Sequence, residues 1–277
     1  TLSGYESNVP SFGSPVGRCA NRISNACFVL NGKEYPLDNN DATNCLHGGF
    51  LRYNYLMYDA ECATSQDDAS VSFSRVSPDG EQGFPGNLTL TITYTWNDAN
   101  ELMIEYNAVS DADTILNITN HSYFNIGCGG QAAGDVLGAQ VQIASAKYTP
   151  INEKRLPTGE ICDVAGTAMD FREFHDIGSR IGEDDANAQT VSGYDHNYIL
   201  PGNPGEICYA AAVRDPESRR IVEVFTDMPG VQLYTAKELV EQDGKGGITY
   251  GNFGGLCFET QQYPNGINEP KFPSPIL

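Results

Sequence analysis

The 277-residue sequence is poor in basic residues, with 16 lysines and arginines against 36 aspartates and glutamates. The resulting net charge of −20 would repel nucleic acids and anionic membrane surfaces, and it would not attract a phosphorylated substrate. The sequence also lacks any apolar run near the ~20 residues that a membrane span needs. We therefore expect no nucleic-acid partner and no membrane partner, and a neutral small molecule as the ligand.

Several sequence motifs that indicate a cofactor site, a metal site or a catalytic nucleophile are absent. No glycine-rich loop joins a strand to a helix as in phosphate and dinucleotide sites, and no GxSxG segment marks a serine hydrolase. The four histidines have no metal-ligand spacing, and no repeat of 20–50 residues points to a solenoid or propeller. The residue patterns therefore favour neither a phosphate-binding loop nor a metal enzyme.

Eight cysteines are scattered without a CxxC pair, which excludes zinc knuckles and dithiol redox motifs. A chain of this length does not need disulfides to stabilise its core, so free, buried thiols are expected. Glycosylation sequons occur at Asn87, Asn117 and Asn120, and the last two lie in a candidate site strand that a glycan would block. We expect a cytoplasmic protein, with secretion after removal of a leader left open because the sequence begins at Thr1.

The dominant pattern in the sequence is alternation of apolar and polar residues, which is typical of strands. The clearest example runs from Leu88 to Trp96, and two apolar runs flank Asn31-Gly32, the strongest short hairpin signal. A short polar segment after Met169 suggests one or two helical turns, and residues 236–242 suggest a single amphipathic turn. We predict an all-β fold, a large antiparallel β-sandwich with little helix, in a single domain over residues 1–277.

One predicted strand, Thr114–Ile126, carries an unusually polar face. Because alternate side chains share a face, His121 points the same way as Asn117, Thr119, Tyr123 and Asn125. Neutral hydrogen-bonding groups around one imidazole suit a sugar-binding surface. A histidine satisfied by its neighbours inside a barrel is the alternative interpretation.

A second alternating stretch, Gly255–Gln261, favours the catalytic interpretation. It places Cys257, Glu259 and Gln261 on one face, opposite Leu256 and Phe258. An imidazole and a carboxylate on two strands of one polar concavity make a plausible general acid and general base.

Eight segments in a fixed order resemble the aldose 1-epimerase (galactose mutarotase) family. They are GRCANRI at 17–23, LHGG at 46–49, SPDGEQGFPG at 77–86, NITNHSYFN at 117–125, YTPINEKRLPTGEI at 148–161, GYDHNYIL at 193–200, PGVQLYT at 229–235 and ETQ at 259–261. Each is weakly specific alone, but the ordered set is highly specific. The resemblance implies a β-sandwich that binds a pyranose and interconverts its α and β anomers without metal or cofactor.

Carried over by position, the resemblance implies that His121 is the general acid and Glu259 the general base. It also implies that Asn21, Arg22, His47, Asp195 and Gln232 bind or orient the sugar. We expect the acid and the base to lie at opposite sides of the C1–O5 linkage, facing each other across a sugar-sized gap. The family usually carries further strands before GRCANRI and one more after the FPSPIL segment, for which residues 1–16 and an end at Leu277 leave little room. We expect either a trimmed version of the fold or sheet edges that close differently; monomer and homodimer stay open.

Three other functions are weighed against an epimerase of neutral hexoses such as galactose or glucose. A sandwich that binds sugars without turnover does not need both His121 and Glu259. A hexose 6-phosphate epimerase would need clustered arginines, but Arg52, Arg75 and Arg172 are scattered. In a serine hydrolase Ser122 would have to pair with His121, and their side chains are predicted on opposite faces.

Overall fold

A computed structural model describes residues 5, 10–127, 134–181, 191–203 and 205–277. The strands in this part of the chain are, in order, β1 (Pro15–Val16), β2 (Arg22–Ile23), β3 (Cys27–Leu30), β4 (Lys33–Pro36), β5 (Cys45–Leu46), β6 (Asp59–Thr64), β7 (Asp68–Ser77), β8 (Leu88–Asn97), β9 (Leu102–Ser110), β10 (Thr119–Asn120), β11 (Gln140–Ile143), β12 (Lys147–Thr149), β13 (Cys162–Asp163), β14 (His175–Asp176), β15 (Asp195–Ile199), β16 (Cys208–Arg214), β17 (Ile221–Thr226), β18 (Gly230–Tyr234), β19 (Gln242–Asp243), β20 (Thr249–Tyr250) and β21 (Cys257–Gln261). The α-helix that lies wholly within the described residues is α1 (Ile177–Ile181). All pairings between these strands are antiparallel. The predicted all-β class with little helix is confirmed.

The chain forms two compact units. The first contains residues 1–16 and 119–274, and the second contains residues 17–118 and 275–277. The prediction of one domain over the whole chain stays a prediction.

Two sheets of the first unit share one core. One has the order β14-β11-β16-β17 and the other β13-β12-β15-β18-β21. Alternation along the strands sends apolar residues of both sheets into this core, among them Val141, Ile143, Ala211, Val213, Tyr198, Val231, Leu233 and Phe258. The opposite face of the five-stranded sheet is thereby left to the intervening residues of β15, β18 and β21, many of which are polar.

The second unit contains a four-stranded meander in the order β6-β7-β8-β9. Leu90 and Ile92 of β8 are buried against Tyr53 and Ile118, as the alternation from Leu88 to Trp96 predicts, although Trp96 itself is half exposed. The predicted hairpin is present as β3 and β4. Asn31 and Gly32 both have positive φ (52° and 75°), which a two-residue hairpin turn of this hand requires.

The predicted continuous strand over Thr114–Ile126 is wrong. Only β10, two residues long, belongs to a ladder there. The segment changes its backbone partner every few residues: Ile115 bridges to Ile276, Asn117 to Cys19, and Phe124 to Leu256. No single neighbouring strand therefore accompanies the segment.

Candidate active site

The candidate active site of the first unit begins with the polar face of the five-stranded sheet. Strand register aligns Asn197 of β15 with Gln232 of β18, and Gln232 with Glu259 of β21. Asp195, Tyr234 and Cys257 form the next row on the same face. Glu259 is only 3% exposed, so an ionisable carboxyl group lies buried in this row.

His121 reaches the same row from the segment after β10. Its backbone amide donates to the carbonyl of Ser14 (2.9 Å), and its carbonyl accepts from the amide of Gly13 (3.0 Å), which fixes the chain at this point. The imidazole is 6% exposed. Its Nε2 lies 3.8 Å from Glu259 Oε1, and its Nδ1 lies 3.5 Å from Cys257 Sγ.

The structure corrects the expectation of a sugar-sized gap between His121 and Glu259. A separation of 3.8 Å between His121 Nε2 and Glu259 Oε1 leaves no room for a sugar ring between them. The two groups stand side by side instead. The anomeric oxygen and the ring oxygen of a pyranose are bonded to the same carbon, so neighbouring groups suit them as well as opposed ones.

Two tyrosines pack around the imidazole. The ring of Tyr123 is stacked on His121 with a centroid separation of 5.0 Å, and Tyr234 contacts His121 edge-on at 6.1 Å. Burial raises the pKa of both phenols, and nearby acidic groups raise it further, so both stay neutral hydrogen-bonding groups. Burial and the neighbouring Glu259 and Asp195 likewise raise the pKa of Cys257 well above its ordinary value.

A chain of amide groups runs beside the acid–base pair. Gln232 Nε2 donates to Asp195 Oδ1 (2.7 Å), and Gln261 Nε2 donates to Gln232 Oε1 (3.1 Å). Gln261 Nε2 also contacts Asn197 Oδ1 (3.4 Å). Since its oxygen accepts from Gln261, the Gln232 amide is oriented with its NH2 group towards Asp195.

The other three predicted sugar-binding residues lie together in the second unit. His47 Nδ1 accepts from the backbone amide of Asn21 (3.2 Å), and the His47 amide donates to the Asn21 carbonyl (3.0 Å). Arg22 is 6% exposed, and its Nε donates to Asp41 Oδ2 (2.7 Å). The pairing of β2 with β5 brings these residues together.

Some residues of these clusters were not identified as functional from the sequence. Alternation placed Cys257 beside Glu259 and Tyr123 beside His121, but gave no reason to assign them a role. Nothing in the spacing of Asp41 pointed to Arg22. None of the described cysteines forms a disulfide; Cys19, Cys45 and Cys257 are buried, whereas Cys62 is exposed.

Two side chains of the candidate site are of types that also bind metal ions. His121 and Glu259 offer donor atoms that metals also accept, but the prediction of no metal and no cofactor stays a prediction. Among the described residues, no helix is long and apolar enough to cross a membrane.

Comparison with known proteins bears on the whole chain. The family model for aldose 1-epimerases matches residues 1–277. Galactose mutarotase of Mus musculus is 42% identical over 277 residues, which is 100% of this chain and 77% of that protein. Aldose 1-epimerase of Escherichia coli K12 is 34% identical over 271 residues, covering 98% of this chain and 76% of that protein.

Solved structures agree. An aldose epimerase homologue from C. elegans superimposes with a TM-score of 0.88 at 28% identity, covering 100% of this chain and 81% of that chain. Galactose 1-epimerase from Lactobacillus acidophilus gives a TM-score of 0.85 at 30% identity, covering 100% and 80%. The predicted galactose mutarotase-like fold is confirmed, and the chain belongs to the aldose 1-epimerase family.

Proposed function

We propose that this chain is an aldose 1-epimerase that interconverts the α and β anomers of a neutral hexose such as galactose or glucose. An isomerase acting on carbohydrates follows from family membership and from relatives that are galactose mutarotases and aldose 1-epimerases. The single observation that carries the residue assignment is the buried approach of His121 Nε2 to Glu259 Oε1 at 3.8 Å.

In this mechanism His121 is the general acid and Glu259 the general base. Glu259 takes the proton of the anomeric hydroxyl while His121 Nε2 gives a proton to the ring oxygen, and the C1–O5 bond breaks. Rotation about C1–C2 presents the other face of the aldehyde. Reclosure runs the same transfers backwards: the ring oxygen returns its proton to His121 and Glu259 returns its own to the new anomeric oxygen. No atom is gained or lost.

Burial of the pair serves this chemistry. With His121 and Glu259 only 6% and 3% exposed, water competes little for the two protons, and the interaction between the charged forms is strengthened. Ionised Glu259 also favours the protonated form of the neighbouring imidazole. Positioned acids and bases each supply about 10²–10⁴-fold in rate.

In the first unit, sugar binding is assigned to polar groups on the face of the five-stranded sheet that holds Glu259. Asp195, whose carboxylate is oriented by Gln232, accepts hydrogen bonds from sugar hydroxyls. Gln232 shares this role. Asn21, Arg22 and His47 of the second unit keep the sugar-binding role that the family resemblance implies. The ion pair of Arg22 Nε with Asp41 Oδ2 restrains the guanidinium group before any sugar binds.

The alternatives find less support. A sandwich that only binds sugars does not need an imidazole and a carboxylate within 3.8 Å of each other. A dianionic hexose 6-phosphate is disfavoured by the net charge of −20. The cytoplasmic location stays a prediction.

The assignment is tested by Glu259→Gln and His121→Asn. We expect each variant to lose about 10²-fold or more in catalysed anomerisation of fresh α-galactose or α-glucose, since each loses one proton-transfer group. Polarimetry, corrected for spontaneous mutarotation, measures the rate, and isothermal titration with the sugar should show binding partly kept. Glu223→Gln, at an exposed position of β17, is the control and should keep full activity. Full activity in either site variant would refute the assignment.

A further inference from the structure

Cys257 lies against the imidazole of His121 on the side of Nδ1, whereas Glu259 lies on the side of Nε2. The Sγ–Nδ1 distance of 3.5 Å is within the range of a hydrogen bond to sulfur. Because Cys257 and Glu259 are two residues apart on β21, their side chains leave the strand on the same face. Side chains of one strand therefore lie next to both ring nitrogens of His121.

The thiol next to the imidazole is neutral. Burial raises the pKa of Cys257, and the carboxylates of Glu259 and Asp195 raise it further. A nucleophilic cysteine paired with histidine needs the opposite, a lowered pKa and partial exposure, whereas this side chain is 0% exposed. Cys257 is thus placed to contact His121 but not to react with substrate.

Which nitrogen of a neutral imidazole carries the proton decides which nitrogen can accept one. For His121 to give a proton to the sugar through Nε2 and to recover it there, Nδ1 must keep its proton in both states. A partner that accepts from Nδ1–H holds this tautomer and the ring orientation. A thiol sulfur is a weak acceptor and can fill this position.

We propose that Cys257 is a positioning residue for His121: its sulfur accepts the Nδ1 proton, so that Nε2 is the nitrogen that exchanges a proton with the sugar. On ring opening the Nε2 proton moves to the ring oxygen, and the neutral imidazole keeps Nδ1–H on Sγ. On closure Nε2 takes the proton back. Cys257 neither gains nor loses a proton. This inference rests on the proposed role of His121.

The first test reads the tautomer directly. ¹⁵N NMR detects the ring nitrogens of the histidines, and the His121 signals are assigned as those that disappear in His121→Asn. In the neutral wild-type ring they should show a protonated Nδ1 and an unprotonated Nε2. In Cys257→Val, which keeps an apolar group of similar size but no acceptor, the proton should shift towards Nε2. A neutral wild-type ring with a bare Nδ1, or an unchanged tautomer in Cys257→Val, would overturn the proposal.

The second test is kinetic. Cys257→Val should lower kcat about tenfold, as expected for losing one orienting hydrogen bond, while KM changes less than twofold. Cys257→Ser, which restores an acceptor, should recover most of this loss. Cys162→Val is the matched control, because Cys162 lies at the far edge of the same sheet, and its kcat should equal that of the wild type.

The two proposals fail in different ways. Full kcat in Cys257→Val together with an inactive His121→Asn would remove the role of Cys257 and leave His121 as the acid. Activity in His121→Asn would remove the acid assignment itself. An equal loss of kcat in Cys257→Val and Cys257→Ser, with folding intact by circular dichroism, would show a packing role and also overturn the proposal.

Discussion

Replacing Gln232 by glutamate would set two carboxylates facing each other in the candidate site. In the wild type, Gln232 Nε2 donates to Asp195 Oδ1 at 2.7 Å, and the Gln232 oxygen accepts from Gln261. Gln232→Glu keeps the acceptor towards Gln261 but turns the donor towards Asp195 into a second negative charge. Gln232→Leu removes the donor without adding charge.

The expected size of the effect follows from the bond that is lost. A hydrogen bond to a charged group contributes about 1.5–3 kcal/mol, which corresponds to about 10- to 150-fold in kcat/KM if Asp195 binds the sugar. Gln232→Glu should lose more than this at pH 8 because of charge repulsion. At pH 5 the deficit should shrink, since two adjacent carboxyl groups share a proton and one of them has a raised pKa.

The assay is the ratio of kcat/KM between variant and wild type, measured by polarimetry from pH 5 to pH 8. This ratio should rise as the pH falls for Gln232→Glu and should stay flat for Gln232→Leu, which has no titrating group. Gln142→Leu, in the four-stranded sheet, is the control and should match the wild type. Equal pH profiles for the two Gln232 variants, or ratios within twofold of one, would refute the reasoning.

Two further predictions concern the stability of the second unit. Arg18 is 1% exposed and donates to the carbonyls of Pro85 (2.6 Å) and Ser77 (3.2 Å). Arg18→Met should lower the free energy of unfolding in urea titrations by about 3 kcal/mol or more, because each buried acceptor left without a donor costs about 1–3 kcal/mol. A loss below about 1 kcal/mol would contradict this. Burial opposes ionisation of Glu81, but hydrogen bonds from Arg75 and Ser77 together outweigh it and lower the pKa of the carboxyl below 4.5. The ionised carboxylate therefore adds to the free energy of unfolding above pH 4.5, and this contribution is lost as the pH falls through the lowered pKa. In urea titrations Glu81→Gln should be less stable than the wild type at pH 7 and should lose less stability than the wild type between pH 7 and pH 3. Equal losses in the two proteins would contradict this.

The sequence alone determined which side chains lie on the same face of a strand. The period-2 alternation placed Cys257 with Glu259, and Gln232 with Tyr234, before any fold was known, because successive side chains of a strand point to opposite sides. The Asn31-Gly32 turn was equally local, since its positive φ values suit these two residue types. Such features depend only on neighbours along the chain.

The long strand predicted over Thr114–Ile126 shows where local information ends. The alternation there is real, yet a strand also needs one partner along its length, and this segment has several. The ion pair of Arg22 with Asp41 could not be predicted either. Asp41 lies in a polar, turn-like segment, and nothing in the local sequence distinguishes that segment from an exposed loop.

Only the tertiary structure decided how His121 and Glu259, the proposed acid and base, meet. Cys257 and His121 are separated by 136 residues along the chain, and no periodicity within either segment specifies a distance between them. The register of β15, β18 and β21 fixes Glu259 beside Gln232, and the backbone bonds of His121 to Gly13 and Ser14 bring its ring to the same row. Local patterns therefore determined which groups face the site, whereas long-range pairing and packing set the 3.8 Å between His121 Nε2 and Glu259 Oε1.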